Sequence, residues 1–414
     1  MFGFQSQSNS YITVLDIGTF KVCGLMAHIM ADGQPEIVGV GVAEAKGIKA
    51  GAIVNLKQAT ECISSVITQI EHQAGRPVKK VTVNLSSTHL KSRHLSREIP
   101  IADSRAVTDM DVKNLVDGIV ASVPAEEEVV LARPLSYSVD QETGLTDPRG
   151  LYGHRLKAYV HVVTIPETQL RNLVTVFDGC HVEIDKKVPT PYASALAVLT
   201  DEEKDIGATV LDMGAGTSSF AVFMNGWLVH LGLVPQGGNQ ITRDIAQTFS
   251  CATATAERLK TLNGSAFLLP SDELNKLIVP MIGEEAENNK YVPRSELIKI
   301  IIIRLEHILE QVGALLAERE SFWVASRRIV LCGGTGSLPS LKEKIEGVLS
   351  ANVRIGKAEV IKNLPTQFDS YTFITCIGLL KYVLSSRKVM MTGRFKEHEP
   401  QKSRLGKVMQ WLMK

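Results

Sequence analysis

The chain has 414 residues, more than the roughly 250–300 at which one hydrophobic core stops growing, so at least two domains are expected. Its 45 basic and 44 acidic residues leave a formal net charge of +1, which removes any global electrostatic reason to expect nucleic-acid binding; a membrane or acidic partner must be met by a local patch. Six scattered cysteines (Cys23, Cys62, Cys180, Cys251, Cys332, Cys376) form no C-x-x-C pair and read as reduced core thiols of a cytoplasmic protein. The first ten residues, MFGFQSQSNS, lack a charged leader and a long apolar stretch and read as a disordered lead-in. The most apolar helical run, 297–303, is interrupted by Lys299 and closed by Arg304, far short of the ~20 apolar residues a membrane span needs.

In chain order, residues 11–26 (YITVLDIGTFKVCGLM) read as an apolar strand ending near Asp16, a tight turn, and a second strand. A strand follows at 36–43, then a surface helix at 56–74 with Leu56, Ala59, Ile63, Val66, Ile67 and Ile70 at helical spacing, then a strand at 81–85. The region from about 86 to 163 has strand candidates at 94–101, 129–139 and 156–164, and one helix opened by the Thr108-x-x-Asp111 capping pattern. It reads as an inserted module. Core-like pattern returns with helices at 167–179 and 191–199, the latter (PYASALAVL) small enough for close packing.

Residues 209–224 (TVLDMGAGTSSFAVFM) repeat the first cassette, with Asp212 in the place of Asp16. A strand at 227–234, a turn at 236–239, and helices starting near Gln240, at 255–260 and at 295–320 follow. Residues 328–338 (RIVLCGGTGSL) give a strand at 329–332, a glycine run at 333–336 and a helical pattern from near Pro339; further helices are predicted at 341–349 and 375–384.

A single Asp-x-Gly turn is ordinary hairpin chemistry. Two copies in register suggest two related halves facing a shared cleft. Glycine lets backbone approach an anion, successive turn N–H groups form a nest for phosphate oxygens, and Asp16 and Asp212 can hold hydrated Mg²⁺ against them. Two such turns followed by a glycine run between strand and helix resemble the superfamily of actin, the heat-shock chaperones and the sugar kinases. The resemblance implies an ATP site between two α/β domains of ribonuclease H-like, actin-like fold, each with a mixed five-stranded sheet and helices on both faces. By that resemblance Gly18, Thr19 and Lys21 contact phosphates from the first turn, and Gly214, Gly216, Thr217 and Ser218 from the second, where Ala215 replaces a glycine frequent in the superfamily. Gly238, Gly334, Thr335 and Gly336 border the nucleoside, with Glu257 and Lys260 reaching base and ribose; spacing alone would equally allow a surface ion pair. Chaperone relatives carry a carboxylate where this chain has Thr190 before Pro191, which implies slow ATPase activity at most.

The insertion narrows the family. Residues 135–137, Asp140, Gly144, 147–153 (DPRGLYG) and 157–164 (KAYVHVVT) resemble the extra subdomain of the FtsA family of bacterial cell-division proteins, and the likeness runs from about residue 11 to the end. It implies a first core domain of 11–83, 166–203 and 366–385; an inserted SHS2-like subdomain of 84–165; a second core domain of 205–240 and 313–365; and a small subdomain of 241–312. It also implies a protein that polymerises with itself, tethers filaments of the tubulin-like FtsZ to the cytoplasmic face of the inner membrane at the division site, and recruits later division proteins through the insert. The FtsZ contact is expected on 241–312, around Arg304, Lys299 and His307, for which a solvated helix face is the plain alternative.

Residues 386–401 read as a flexible linker broken by Gly393 and Pro400. In 402–414 (KSRLGKVMQWLMK), Leu405, Val408, Met409 and Leu412 form one helical stripe beside Trp411, with Arg404 and Lys407 toward the other side and no acidic residue after Glu399. This suits a helix lying in the headgroup region of an anionic membrane; packing back on the body or on a partner is the alternative. Two other readings of the whole chain are a PilM-like inner-membrane assembly protein, which would lack this terminal helix, and a small-molecule kinase, which would need a carboxylate base in the cleft.

Overall fold

The computed structural model of the chain describes residues 10–282, 290–318, 323–364 and 370–392. Each half is organised by a five-stranded mixed sheet. The first has the order Glu183–Pro189, Lys80–Leu85, Tyr11–Ile17, Lys21–Ile29, Pro35–Glu44; the second has Asn352–Ile355, Arg328–Cys332, Ala208–Met213, Ser218–Met224, Trp227–Val234. In both, three consecutive strands form an antiparallel meander and two later strands add in parallel beyond the first of them. The central strands are apolar almost throughout because both sheet faces are covered: Val14 and Leu15, like Val210 and Leu211, are fully buried.

The register places the two motif aspartates at matching positions. Asp16 pairs with Cys23 and Asp212 with Ser219, each one residue before the end of its hairpin ladder. Helix Leu56–Ala74 packs on the first sheet through Ala59, Ile63, Val66, Ile67 and Ile70 of the predicted apolar face, while Leu56, in its first turn, is exposed; the helix is opened by the Asn55 side chain and closed by Gly75 in the left-handed region. Helix Glu167–Gly179 covers the same layer through Leu170, Leu173, Val176 and Phe177.

The two halves share one core. It includes Val14 and Leu25 of the first sheet, Val210, Ala221 and Val330 of the second, and residues of helices Thr190–Val198 and Ile374–Thr392, which cross between them. At the crossing a Cβ on Gly378 would lie 1.7 Å from the Ala193 carbonyl oxygen, so only glycine allows this approach. The insert forms its own four-stranded sheet (Lys91–Pro100, Arg155–Pro166, Glu127–Val139, Glu142–Leu145). Helix Asp109–Val120 covers one face of it, capped reciprocally by Thr108 and Asp111 as the sequence predicts.

Several elements differ from expectation. Strand Glu183–Pro189 was not anticipated because it is a sheet edge with only Val188 and Pro189 buried, and Asn352–Ile355 is a four-residue edge strand with only Val353 buried. The turn predicted at 236–239 is shorter: the helix starts at Gly238, because the Gln240 side chain folds back to accept the Gly237 N–H at 3.0 Å. Helix Thr253–Asn263 is longer than the 255–260 core of its pattern. The last helix continues to Thr392, into the stretch read as a linker from residue 386; Gly393 is the first glycine or proline after Gly378. The predicted membrane-binding residues Arg404, Leu405, Lys407, Val408, Met409, Trp411 and Leu412 lie outside the described residues. Among the described residues no helix is long and apolar enough to cross a membrane.

The crossing yields a paired test. Gly378→Ala should destabilise the fold by ~1–3 kcal/mol or more in urea unfolding, since the added carbon meets backbone. Gly347→Ala, on an exposed helical position with open space around it, should stabilise by ~0.5–1 kcal/mol.

Candidate functional site

The first turn is closed by Gly18 N–H donating to the Lys21 carbonyl at 3.1 Å, and the second by Gly214 N–H donating to the Thr217 carbonyl at 2.9 Å. The same bond recurs at the same place in each half. The turns face each other so closely that a Cβ on Gly216 would lie 2.5 Å from Thr19 Oγ1. Thr19 Oγ1 also accepts the Gly51 N–H at 3.3 Å, which brings the tip of the small hairpin Ile48–Lys49/Ala52–Ile53 to the first turn.

The two aspartates lie beneath these turns. Asn84 Nδ2 donates to Asp16 Oδ1 at 2.6 Å, while Asn84 Oδ1 accepts Ile17 N–H at 2.6 Å, so one amide fixes both the carboxylate and the strand end. Ser194 Oγ donates to Asp212 Oδ2 at 2.5 Å. Burial and then the charge of Asp212 push the Asp16 carboxyl up to about 7, against the pull of Lys21 and of hydrogen bonds from Thr375 and Asn84. Burial also raises Asp212, opposed by Ser194. A half-buried and a buried carboxylate that disfavour each other's ionisation, beside the two glycine turns, form a hard-oxygen donor set that fits a hydrated divalent cation.

Thr190 lies in the same polar cluster. It accepts from Asn84 Nδ2 at 3.0 Å and shares a 2.6 Å hydrogen bond with Ser86 Oγ. A hydroxyl pair here can orient a water molecule but has no basicity to activate it.

The nucleoside side assembles around Gly214 and Gly238. The Gly214 carbonyl accepts Thr335 Oγ1 at 2.9 Å and Gly238 N–H at 3.0 Å. Gly333, with φ of 87°, lets the glycine run pass Asp212, where a Cβ would lie 2.4 Å from Oδ1. The run turns at Gly334–Ser337, with Gly336 N–H donating to the Gly333 carbonyl. Ser218 Oγ ties the second cassette to the Gln236 carbonyl at 2.8 Å. Lys260 Nζ donates to the Gly238 carbonyl (3.1 Å), Thr242 Oγ1 (2.9 Å) and Glu257 Oε2 (2.8 Å), which uses all three ammonium hydrogens. Glu257 and Lys260 are therefore an ion pair beside the glycine cluster.

Sequence reasoning did not identify Asn84, Ser86, Ser194, Thr242 or Thr375. Asn84 carried a usable signal, a polar residue at the carboxyl end of an apolar parallel strand, where α/β sheets place their ligand contacts. Arg304, Lys299 and His307 are not part of this cluster. They lie on helix Arg294–Ala317, where Arg304 makes a bidentate pair with Asp244 (2.6 and 3.0 Å) and bonds Gln236, while Lys299 and His307 are exposed.

Duplicated five-stranded sheets, paired glycine turns and a cleft between them define an actin-like protein with a subdomain inserted in its first half. Solved structures of this fold are similar across most of the chain. In the PilM–PilN type IV pilus biogenesis complex the match has a TM-score of 0.63 at 15% identity, covering 90% of this chain and 98% of the other. MreB5 of Spiroplasma citri bound to ADP matches with a TM-score of 0.57 at 13% identity, over 93% and 99%. Residues 209–378 match the family model for cell division protein FtsA, and residues 87–164 the model for the SHS2 domain inserted in FtsA. The cell division protein FtsA of Agrobacterium fabrum is 31% identical over 421 aligned residues, 98% of this chain and 95% of that protein. The chain belongs to the FtsA family of cell division proteins.

The carboxylate pair sets a pH dependence. The folded state keeps a proton on Asp16 that the unfolded chain releases near 3.8, so between 3.8 and about 7 folding takes up a proton and stability falls as pH rises. In divalent-free buffer the melting temperature of the wild type should drop relative to Asp16→Asn between about pH 5 and about pH 8, by several degrees for a few kcal/mol. Parallel melting curves for the two proteins would contradict this.

Proposed function

We propose that the cleft binds ATP with Mg²⁺ and that nucleotide binding, rather than turnover, is its working output. The observation that carries this reading is the direct meeting of Thr19 and Gly216, one from each half, above a pair of mutually repelling carboxylates. Gly18, Thr19 and Lys21, with Gly214, Gly216 and Thr217, would hold the phosphates, while Ser218, fully buried and bonded to the Gln236 carbonyl, would support the second turn from behind. Asp16 and Asp212 would hold the Mg²⁺ through water, and the metal would supply neutralisation of phosphate and carboxylate charge. Gly238, Glu257, Lys260, Gly334, Thr335 and Gly336 would border the nucleoside. Thr190 and Ser86 position rather than activate water, which supports hydrolysis that is slow at most.

The cell-division role follows from the family and the tail together. A protein whose cleft closes on nucleotide can offer its assembly surface in that state alone, polymerise, and carry many copies of the 402–414 segment to an anionic membrane. Each tail buries a few large apolar side chains at ~1.5–3 kcal/mol each and adds about 1 kcal/mol per basic residue, less the cost of folding the helix. One tail then binds reversibly and an array binds strongly. In this reading the polymer tethers FtsZ filaments to the inner face of the cytoplasmic membrane, and the insert engages later division proteins. Of the candidate FtsZ contacts, Lys299 and His307 are exposed, while Arg304 would have to exchange Asp244 for a carboxylate of the partner.

Two experiments test this. With ATP, FtsZ and anionic vesicles, the full chain should carry FtsZ to the membrane, and deletion of 402–414 should leave both in solution; co-sedimentation unchanged by the deletion would sink the tethering role. Gly216→Val should abolish binding of a fluorescent ATP analogue, because the side chain occupies the space where the turns meet. Wild-type affinity in that variant would refute the two-turn clamp.

A further inference from the structure

Away from the cleft, one face of the inserted sheet carries a row of basic side chains. Cross-strand register sets His94, His161 and Arg133 side by side on strands Lys91–Pro100, Arg155–Pro166 and Glu127–Val139. The opposite face, with Leu156, Ala158, Val160 and Val162, packs in the insert's own core. The row therefore faces the body of the protein, where the neighbouring Leu131 and Val163 join the shared central core.

The edge strand Trp227–Val234 of the second sheet meets this row. His161 Nε2 lies 2.8 Å from Ser92 Oγ, and His230 Nδ1 lies 3.0 Å from the same oxygen. Leu231 N–H donates to that oxygen at 3.3 Å, and His94 Nε2 donates to the Val229 carbonyl at 2.5 Å. The rings of His94 and His161 meet edge to face at 5.5 Å, and His230 lies against Phe220. Three imidazoles and one hydroxyl thus join the insert to the second half.

Counting hydrogens constrains their protonation. A serine hydroxyl offers one hydrogen and two lone pairs. Leu231 N–H takes one lone pair, leaving one lone pair and the hydroxyl hydrogen for two imidazole nitrogens. One of those nitrogens must be bare. A neutral pair, or a pair with one imidazolium, satisfies this; two imidazoliums aim two N–H groups at one lone pair. His94 Nε2 keeps its hydrogen in either state because it faces a carbonyl, but a charge there adds to charge on His161.

The other groups around the seam carry both signs. On the insert Arg133 is cationic, and farther along the same face Lys157 lies over the Tyr159 ring and opposite Glu98, which also pairs with Arg155; Glu127 at the base of these strands is engaged by Lys91, Arg93 and Thr164. The strand Trp227–Val234 contributes His230 alone. Helix Thr190–Val198 contributes Tyr192, and the last helix contributes Tyr382, which packs on Tyr192 and under Lys186. Burial raises the Tyr382 phenol and the Arg133 charge opposes it, which places Arg133 beside that helix.

We propose that this seam is a proton-operated latch: at neutral pH it docks the inserted module on the second half, and a second proton on the Ser92-bridged imidazoles releases that contact. The undocked module then binds more protons than the docked one, so docking strengthens as pH rises and weakens as pH falls through the imidazole range. The docking equilibrium should change by up to about tenfold per pH unit for each proton taken up.

Hydrogen exchange on the full chain at about pH 7.5 and about pH 6 tests this, with rates corrected for intrinsic chemistry and strand Tyr11–Ile17 as internal reference. Protection over 91–100 and 227–234 should fall about tenfold relative to the reference at the lower pH. His230→Gln, whose amide can bond Ser92 without titrating, should lose that fall. No relative fall in the wild type, or the same fall in His230→Gln, overturns the latch. Should that variant fail to fold, His161→Gln replaces it, and histidine NMR of the wild type gives a second reading. Two imidazoles should titrate together at the pH of the exchange step; titration of every histidine independently of that step also overturns the latch.

Discussion

The crossing of helices Thr190–Val198 and Ile374–Thr392 is the constraint on which the rest of the molecule depends. Gly378 lets the second helix rest on the Ala193 carbonyl, and the residues next to that contact support the two carboxylates. Ser194 bonds Asp212, Thr375 lies near Asp16, and the two hydroxyls lie 3.4 Å apart. Cys376 meets Cys23, the cross-strand partner of Asp16, at 3.8 Å. The two crossing helices thus bring side chains to both cassette aspartates, the first to Asp212 and the second to the surroundings of Asp16. The contact of the two helices and the supports of the two carboxylates are thus parts of one packed unit.

The parts of the fold that were legible in the sequence are those whose signal is local. Helices Leu56–Ala74 and Glu167–Gly179 and strand Trp227–Val234 match their predicted bounds because the burial period and end signals lie within the element. The paired turns were legible because the duplication compares the chain with itself. Strands Glu183–Pro189 and Asn352–Ile355 were not, since the first buries only its last two residues and the second only Val353, which leaves no apolar alternation to mark a strand. Nor were Asn84 and Ser194, whose importance comes from partners 67 and 18 residues away and from burial that no neighbouring residue announces. The same holds for Lys260: spacing pointed to Glu257, but its bonds to the Gly238 carbonyl and Thr242 depend on how two helices meet.

These features bear on what the cleft can do. Two carboxylates whose joint ionisation is disfavoured stand at the centre of the cleft. Thr190 and Ser86 bond each other, so the position available to an attacking water is lined by hydroxyls rather than by a base. One of the crossing helices runs on to Thr392, the last described residue before the 402–414 segment.

The insert joins this system at a second contact. Its sheet packs beside Tyr192 and Tyr382, one on each crossing helix, and it bonds the second sheet through Ser92 and the three imidazoles. The module is therefore neither an independent bead nor a rigid extension of one half. It rests on both halves beside the helix crossing, through a polar seam with one hydroxyl shared among three partners. Apolar contacts tolerate small sliding, whereas a hydroxyl with a fixed number of hydrogens and lone pairs does not, so the seam defines a docked state with a sharp limit. A partner bound to the insert and a nucleotide bound in the cleft would then act on the same pair of helices from opposite sides. Coupling between them requires only that docking of the insert and closure of the cleft favour the same crossing geometry.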